Sequence, residues 1–252
     1  MHSCVRHRLW RARLGLFRLA HIAAPQFRCP ICGYEGPFKH VRSGNTERKW
    51  AKCPGCGSLE RHRILSLVLE SVLADRDTRT MKMIHFAPEP FFRDRLASRF
   101  GSYETADYAM PDVDHRVNLQ DLPFSSHSYD FVFCSHVLEH VPDDARALAE
   151  IRRILKPGGI ALLPVPITSD VTVEYPAPNP HEHHHVRAPG ADYYDRYDPF
   201  FARVERFSSD DFPGEFQLYL FEDRTVVPRT SPLRRPMPGN KHPEIVPVCY
   251  VE

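Results

Sequence analysis

The sequence predicts an α/β protein, a mainly parallel sheet wrapped by helices, with a small cysteine-stapled module ahead of it. Two observations carry this. From Met81 onward short apolar runs alternate with helical stretches, the pattern of strands joined by crossovers. Before that, Cys29-Pro-Ile-Cys32 and Cys53-Pro-Gly-Cys56 form C-x2-C-x20-C-x2-C, the spacing of metal ligands. A length of 252 residues suits one full domain with an appendage. With 42% hydrophobic and 26% charged residues, wholesale disorder, collagen-like sequence and a disulfide miniprotein are excluded.

The net charge of +1 hides an asymmetry: residues 1–65 carry 13 Lys+Arg against 3 Asp+Glu, and the remainder 20 against 29. Residues 1–26 form a basic N-terminal segment. Arg6, Arg8, Arg11, Arg13 and Arg18 interrupt any signal-peptide core, and no window approaches 18 uninterrupted apolar residues, so no transmembrane segment and a cytoplasmic location are expected. Trp10, Leu14, Phe17 and His21 recur at helical spacing, which predicts a basic amphipathic helix over 5–20. Such a helix either covers the next module or touches anionic lipid or nucleic acid.

Residues 27–57 hold the two cysteine pairs. Two thiolates separated by two residues can grip one ion from a tight turn, and Gly33 and Gly57 permit the backbone angles that aim amide hydrogens at sulphur. Cys29, Cys32, Cys53 and Cys56 together suit a structural zinc, and a rubredoxin-like iron centre uses similar knuckles. Lys39, His40, Arg42, Arg48, Lys49 and Lys52 lie between the knuckles with Tyr34, Phe38 and Trp50, a mixture that suits either a structural ribbon or a nucleic-acid surface.

Ser58 is placed to cap a helix over 59–78, whose Leu65, Val68, Leu69, Val72 and Leu73 repeat at helical spacing. Its first charged residues, Glu60 to Arg63, either reach an active site or face solvent. Strands follow at MKMIHFA, SYETADY, DHRVNL, YDFVFCSHV and IALLPVPI, with helices over 92–100 and 143–155, the latter ending on a Gly158-Gly159 cap. FARVERF (201–207) and QLYLFE (217–222) read as the last two strands. Residues 223–252 are proline-rich and read as an extended arm.

In parallel sheets, ligands bind beyond the carboxyl ends of the strands. HFAPEP stands there after the first strand, with Glu89 where a phosphate-binding turn would have glycine. Asp107 ends the second strand 18 residues later, close to the separation at which a carboxylate takes a ribose diol. Asn118-Leu119 closes the third, and Ser135, His136, Glu139 and His140 follow the fourth.

The run DLPF, YDFVFCSHVLEHV, ALAEIRRILKPGG and a strand resembles the class I S-adenosylmethionine-dependent methyltransferases, in particular the type 11 branch, over about residues 80–168. CPxCGSLERHR with HFAPEP resembles a bacterial subgroup in which a zinc ribbon precedes that domain. The resemblance implies a Rossmann-like seven-stranded sheet with a final antiparallel hairpin, over residues 58–222, and S-adenosyl-L-methionine as cofactor. By position, Ala87, Pro88 and Glu89 would lie under methionine and ribose, Asp107 would hold the ribose, Asn118 and Leu119 would flank adenine, and Ser135 and His136 would face the methionine moiety. The usual Asp-x-Gly-x-Gly loop is replaced by His85-Phe86-Ala87-Pro88-Glu89. Glu89 can pair with the cofactor's positive charges, and the missing glycines argue against a pyrophosphate.

The stretch TSDVTVEYPAPNPHEHHHVRAPGADYYDRYDP has no helical period and reads as a long loop over the site. Its His181, His183, His184 and His185 suit a second metal site, a phosphate contact or a general base. Methyl transfer needs an in-line nucleophile relieved of its proton, and His136, His140 and His185 are the candidate bases. His184 and Arg187 are candidates for binding substrate. The expected reaction is methylation of an O or N atom of a small metabolite or glycan. A non-catalytic binding module and an RNA methyltransferase remain as rivals, the acidic remainder of the chain opposing RNA.

Overall fold

A computed structural model describes residues 12–43, 46–225 and 233–252. It divides into two compact units, one of residues 1–69, 209–223 and 240–244, the other of residues 70–208, 224–239 and 245–252.

In the first unit a helix α1 covers 12–20; residues 5–11 of the expected amphipathic helix lie outside the described residues. Leu14 packs against the buried cluster of Cys29, Tyr34, Phe38 and Cys53, while Leu16, Leu19 and Ile22 are exposed. Strands β1 (Phe27–Arg28) and β2 (Glu35–Gly36) pair antiparallel around the first knuckle, and β3 (Lys39–Ser43) pairs with β4 (Thr46–Lys52). Helix α2 (Glu60–Val72) follows.

Ser58 is not the helix cap: the Arg63 amide donates to the Leu59 carbonyl. Ser58 Oγ instead lies 3.5 Å from Cys29 Sγ and 3.2 Å from Cys56 Sγ. Arg63 is fully buried and reaches no active site. Its guanidinium donates to the carbonyls of Ala51, Ser58, Phe216 and Gln217 and lies over the Phe38 ring, fixing the ribbon to the 216–217 segment of its own unit. An arginine fork satisfied by carbonyls on several sides is a structural strut.

The second unit is built on a seven-stranded sheet in the order β12-β13-β9-β8-β5-β6-β7. Its strands are β5 (Lys82–Phe86), β6 (Ser102–Asp107), β7 (His115–Arg116), β8 (Tyr129–Cys134), β9 (Leu155–Leu162), β12 (Arg203–Ser208) and β13 (Ile245–Tyr250). The first five are mutually parallel, and β13 runs antiparallel between β9 and β12. This is the Rossmann-like methyltransferase fold with its closing antiparallel hairpin.

Helix α3 (Pro90–Ala97) begins on Pro90, whose missing amide costs nothing at a helix start. Helix α4 (Asp144–Ile154) is capped by the Asp143 carboxylate, which accepts from the Arg146 amide at 2.9 Å. Its Ala147, Leu148, Ile151 and Ile154 are fully buried.

Three expectations are corrected. Gly158-Gly159 does not cap α4: the helix stops at Ile154, because Pro157 disfavours helical backbone at Lys156, and Leu155 already pairs with Tyr129. The glycines sit in a bulge of β9, where the register jumps from Tyr129↔Leu155 to Phe131↔Ile160 and Gly158 has φ +73°.

The last sheet strand is not 217–222. Leu220 bridges to His242 and Phe221 to Lys49, all within the first unit. That strand is Ile245–Tyr250, from the presumed arm. A proline inside a sheet is confined to places where no N–H is needed, and Pro247 is in such a place. Its carbonyl faces β9, accepting from Leu163 at 3.4 Å, so its missing N–H lies on that same side, beyond the end of the β9 ladder; pairing to β12 loses nothing.

The long loop over 168–199 is folded as well. It forms a hairpin, β10 (Val173–Asn179) with β11 (His185–Ala188), and a 3-10 helix, Ala191–Tyr197, that buries Tyr193, Tyr194 and Tyr197 completely.

Candidate active site

The parallel register sets the ends of β5, β6 and β8 level, since Phe86 pairs with both Ala106 and Cys134. Beyond those ends lies a cavity of about 600 Å3, the size of small-ligand sites. Ala87, Asp107, Asn118, Leu119, His136 and His140 line it.

Ala87 turns the chain with φ +46°, a left-handed conformation that glycine adopts without strain, and its amide donates to the Ala106 carbonyl. Pro88 is buried and Glu89 is the N-cap residue of α3; neither lines the cavity, so the expected contact through these two is absent from its wall. Asp107 ends β6, and its Oδ1 accepts from the amides of Ala109 and Met110 at 2.7 Å each, which fixes the carboxylate at the rim. Asn118 Oδ1 is engaged by the Gln120 amide at 3.0 Å. Ser135 is buried with an unpartnered hydroxyl and does not line the cavity, whereas His136, at φ +58°, does.

His140 sits in the wall with Glu139 behind it, 1% exposed, and His185 of β11 stacks edge-on to His140 with ring centroids 4.5 Å apart. Burial pushes His140 down from its ordinary range and His185 down to about 4. His185 therefore backs the wall without lining the cavity. His184 is exposed at φ +64°, and its amide is held by the Asn179 carbonyl.

Arg187 is not a substrate anchor. It is 2% exposed and donates to the carbonyls of Leu138, Val141 and Pro142 at 2.7, 2.8 and 3.1 Å, with Glu174 and Asp144 as counter-charges. It ties β11 to the segment that carries Glu139 and His140.

One cavity residue had escaped the sequence reading, and another residue, Glu139, was named there without its burial. Tyr108 lines the cavity and is 76% exposed, an aromatic whose signal was its place directly after Asp107. Glu139 was visible between two histidines, but its burial was not.

In the first unit the four cysteine sulphurs lie within 4.8 Å of one another. Cys29–Cys56 and Cys32–Cys53 are each 3.7 Å apart. Sulphurs bound tetrahedrally at about 2.3 Å from one zinc are separated by about 3.8 Å, so the donor set fits the ion. Gly33 and Gly57 have φ +69° and +77°, as the knuckles require. The ribbon's aromatics are used internally: Tyr34 and Phe38 are buried, and Trp50 meets Phe221 edge-on at 5.1 Å.

Residues 96–163 match a protein family described as a methyltransferase domain. A demethylmenaquinone methyltransferase of Bacillus velezensis is 48% identical over 42 residues, 17% of this chain and 18% of that protein. A probable S-adenosylmethionine-dependent methyltransferase of Mycolicibacterium smegmatis is 39% identical over 61 residues, 24% of this chain and 23% of that one. Among solved structures, the YcgJ protein from Bacillus subtilis aligns with a TM-score of 0.46 and 13% identity, over 76% of this chain and 99% of that one. The matched stretches thus span less than a quarter of those curated relatives. The family match runs from α3 to β9, around the cavity.

Proposed function

We propose that the protein is an S-adenosylmethionine-dependent methyltransferase acting on an O or N atom of a small metabolite or glycan, with a zinc ion held by Cys29, Cys32, Cys53 and Cys56. The observation that carries it is the cavity beyond β5, β6 and β8 with a fixed carboxylate, Asp107, at its rim.

The cofactor supplies an electrophilic methyl group on a positively charged sulphur. Asp107 would accept from the ribose hydroxyls, Asn118 and Leu119 would flank the adenine, and the exposed Tyr108 ring offers a stacking surface. Ala87 and His136 bound the remaining space for the methionine portion. His136 and His140 present imidazoles to the cavity and are the candidate bases, with His185 behind His140. A cavity without phosphate-binding glycines suits a cofactor that carries no phosphate.

The RNA reading is disfavoured by the engagement of Tyr34, Phe38 and Trp50 within their own unit. The non-catalytic rival is separated by calorimetry with S-adenosylhomocysteine. Binding is expected, and Asp107→Asn, which keeps the acceptor for the Ala109 and Met110 amides but loses the charge, should weaken it about tenfold, about 1.4 kcal/mol. Absence of binding at millimolar ligand overturns the enzyme reading.

A further inference from the structure

We propose that Glu139, His140 and His185 form a binding site for a divalent transition-metal ion in the cavity wall, and that this ion takes the hydroxyl oxygen of the methyl acceptor. The second half rests on the methyltransferase reading; the metal site itself does not.

One carboxylate oxygen of Glu139 and one ring nitrogen from each histidine lie within 4.8 Å of one another. Donors about 2.1 Å from a shared ion stand about 3 to 4 Å apart, so small side-chain adjustments close the set. Independently, two of the three groups are buried with an atom that makes no hydrogen bond, Glu182 Oε2 standing 3.9 Å from His185 Nδ1. Glu139 is 1% exposed and its Oε2 has no hydrogen-bond partner; His185 is 8% exposed and its Nδ1 has none. The approaches of Glu139 Oε1 to His136 Nδ1 (3.6 Å) and to His140 Nε2 (4.0 Å) are too long for hydrogen bonds. A buried carboxylate facing imidazoles with no bond between them is an arrangement that a cation completes, because burying an unpaired charge is costly.

Two imidazoles and one carboxylate suit zinc, manganese or iron(II) and differ from the thiolate set of the ribbon. Three protein ligands leave coordination positions open, as in catalytic sites. His140 lines the cavity, so an open position can face it. An acceptor hydroxyl bound there is acidified. His140, as a ligand of the ion, is then not the base; the proton leaves to solvent water, and the oxygen pair forms the bond to the methyl carbon. The carbon–sulphur bond breaks with its electrons returning to sulphur, which becomes a neutral thioether. This selects an oxygen acceptor over an amine.

The test uses the full chain carrying its cysteine-bound metal, titrated with Mn2+ alone, which thiolates bind poorly, and read by electron paramagnetic resonance. One Mn2+ per chain is expected, weakened at least about tenfold in Glu139→Gln and in His140→Ala. His140 is at the surface of the wall, so its variant keeps the site testable if the buried carboxamide impairs folding. Bound Mn2+ should also enhance water-proton relaxation through an open position. No Mn2+ or Zn2+ taken up beyond the cysteines at millimolar metal, or uptake unchanged in both variants, overturns the site; uptake without relaxation enhancement overturns the acceptor role. Titration of the same chain, with its cysteine-bound metal and no added Mn2+, with S-adenosylhomocysteine keeps the two readings apart. Ligand binding without any metal uptake leaves the methyltransferase and removes the site, and metal uptake without ligand binding does the reverse.

Discussion

His85 sits on β5 with no exposure, its Nδ1 2.9 Å from the Tyr103 hydroxyl and its Nε2 unpartnered. Burial pushes it down to about 3, with Glu89 opposing and Arg93 assisting. The folded state therefore holds the neutral ring, and the unfolded chain takes up the proton first as pH falls. The contribution is fully present above about pH 6.5 and is lost progressively toward pH 3, roughly 2–3 kcal/mol of it being gone by pH 4.5. In His85→Phe the stability difference between pH 7 and pH 4.5, measured by urea unfolding, should shrink by about 2 kcal/mol; an unchanged difference would show that another group carries the acid limb. At this same scale the sequence pointed to Asp107, Asn118 and His136 from their places at strand ends, since strand order alone sets that position. It could not show that Arg187 is consumed by three carbonyls, because those come from residues more than forty positions away. Arg187→Lys keeps the charge and loses the fork. It should cost roughly 2–4 kcal/mol in denaturant unfolding, and a change below about 0.5 kcal/mol would remove it from that role.

Among the elements, the parallel strands were legible because buried apolar runs such as YDFVFC leave little ambiguity; all five appear, although β7 is only His115–Arg116 and β9 runs Leu155–Leu162 where the pattern put 160–167. The closing strand was not, because it lies inside a proline-rich stretch that reads as an arm until the direction of the Pro247 carbonyl is known. Deleting 245–252 removes β13 from between β9 and β12, which strips both neighbours of backbone partners. The shortened chain should lose its cooperative thermal transition by circular dichroism. A truncated protein that melts like the full chain would mean that the pairing is dispensable. Likewise, the hairpin of β10 and β11 escaped a reading based on periodicity, since its proline-rich strands alternate poorly and are held by Arg187 and by Glu182, which accepts from Tyr175 at 2.8 Å.

For the whole molecule, the basic residues 1–65 share the first unit with the acidic segment 209–223, so the charge asymmetry of the sequence is softened within one structural unit, and two cysteines contribute to a small buried cluster there. Cys29, Tyr34, Phe38 and Cys53 are a small buried cluster of that unit, so the part around the two knuckles has little apolar surface of its own to hold it without an ion. Metal analysis should give one zinc per chain at the cysteines. Strong chelation should create a separate low-temperature transition, as should Cys53→Ser; a melting profile unmoved by both would mean that the sulphurs hold no structural ion.

The sequence by itself determined the α/β class, the cysteine spacing and the strand-end positions of the cavity residues, because these follow from periodicity and from short-range geometry. Only the tertiary structure decided which polar groups are already spent and which are left over. Arg63 and Arg187 are satisfied by carbonyls from distant segments. Glu139 and His185 are buried, each with one atom that has no hydrogen-bond partner. Burial and pairing are sums over neighbours brought together by the fold, and no local pattern along the chain contains them.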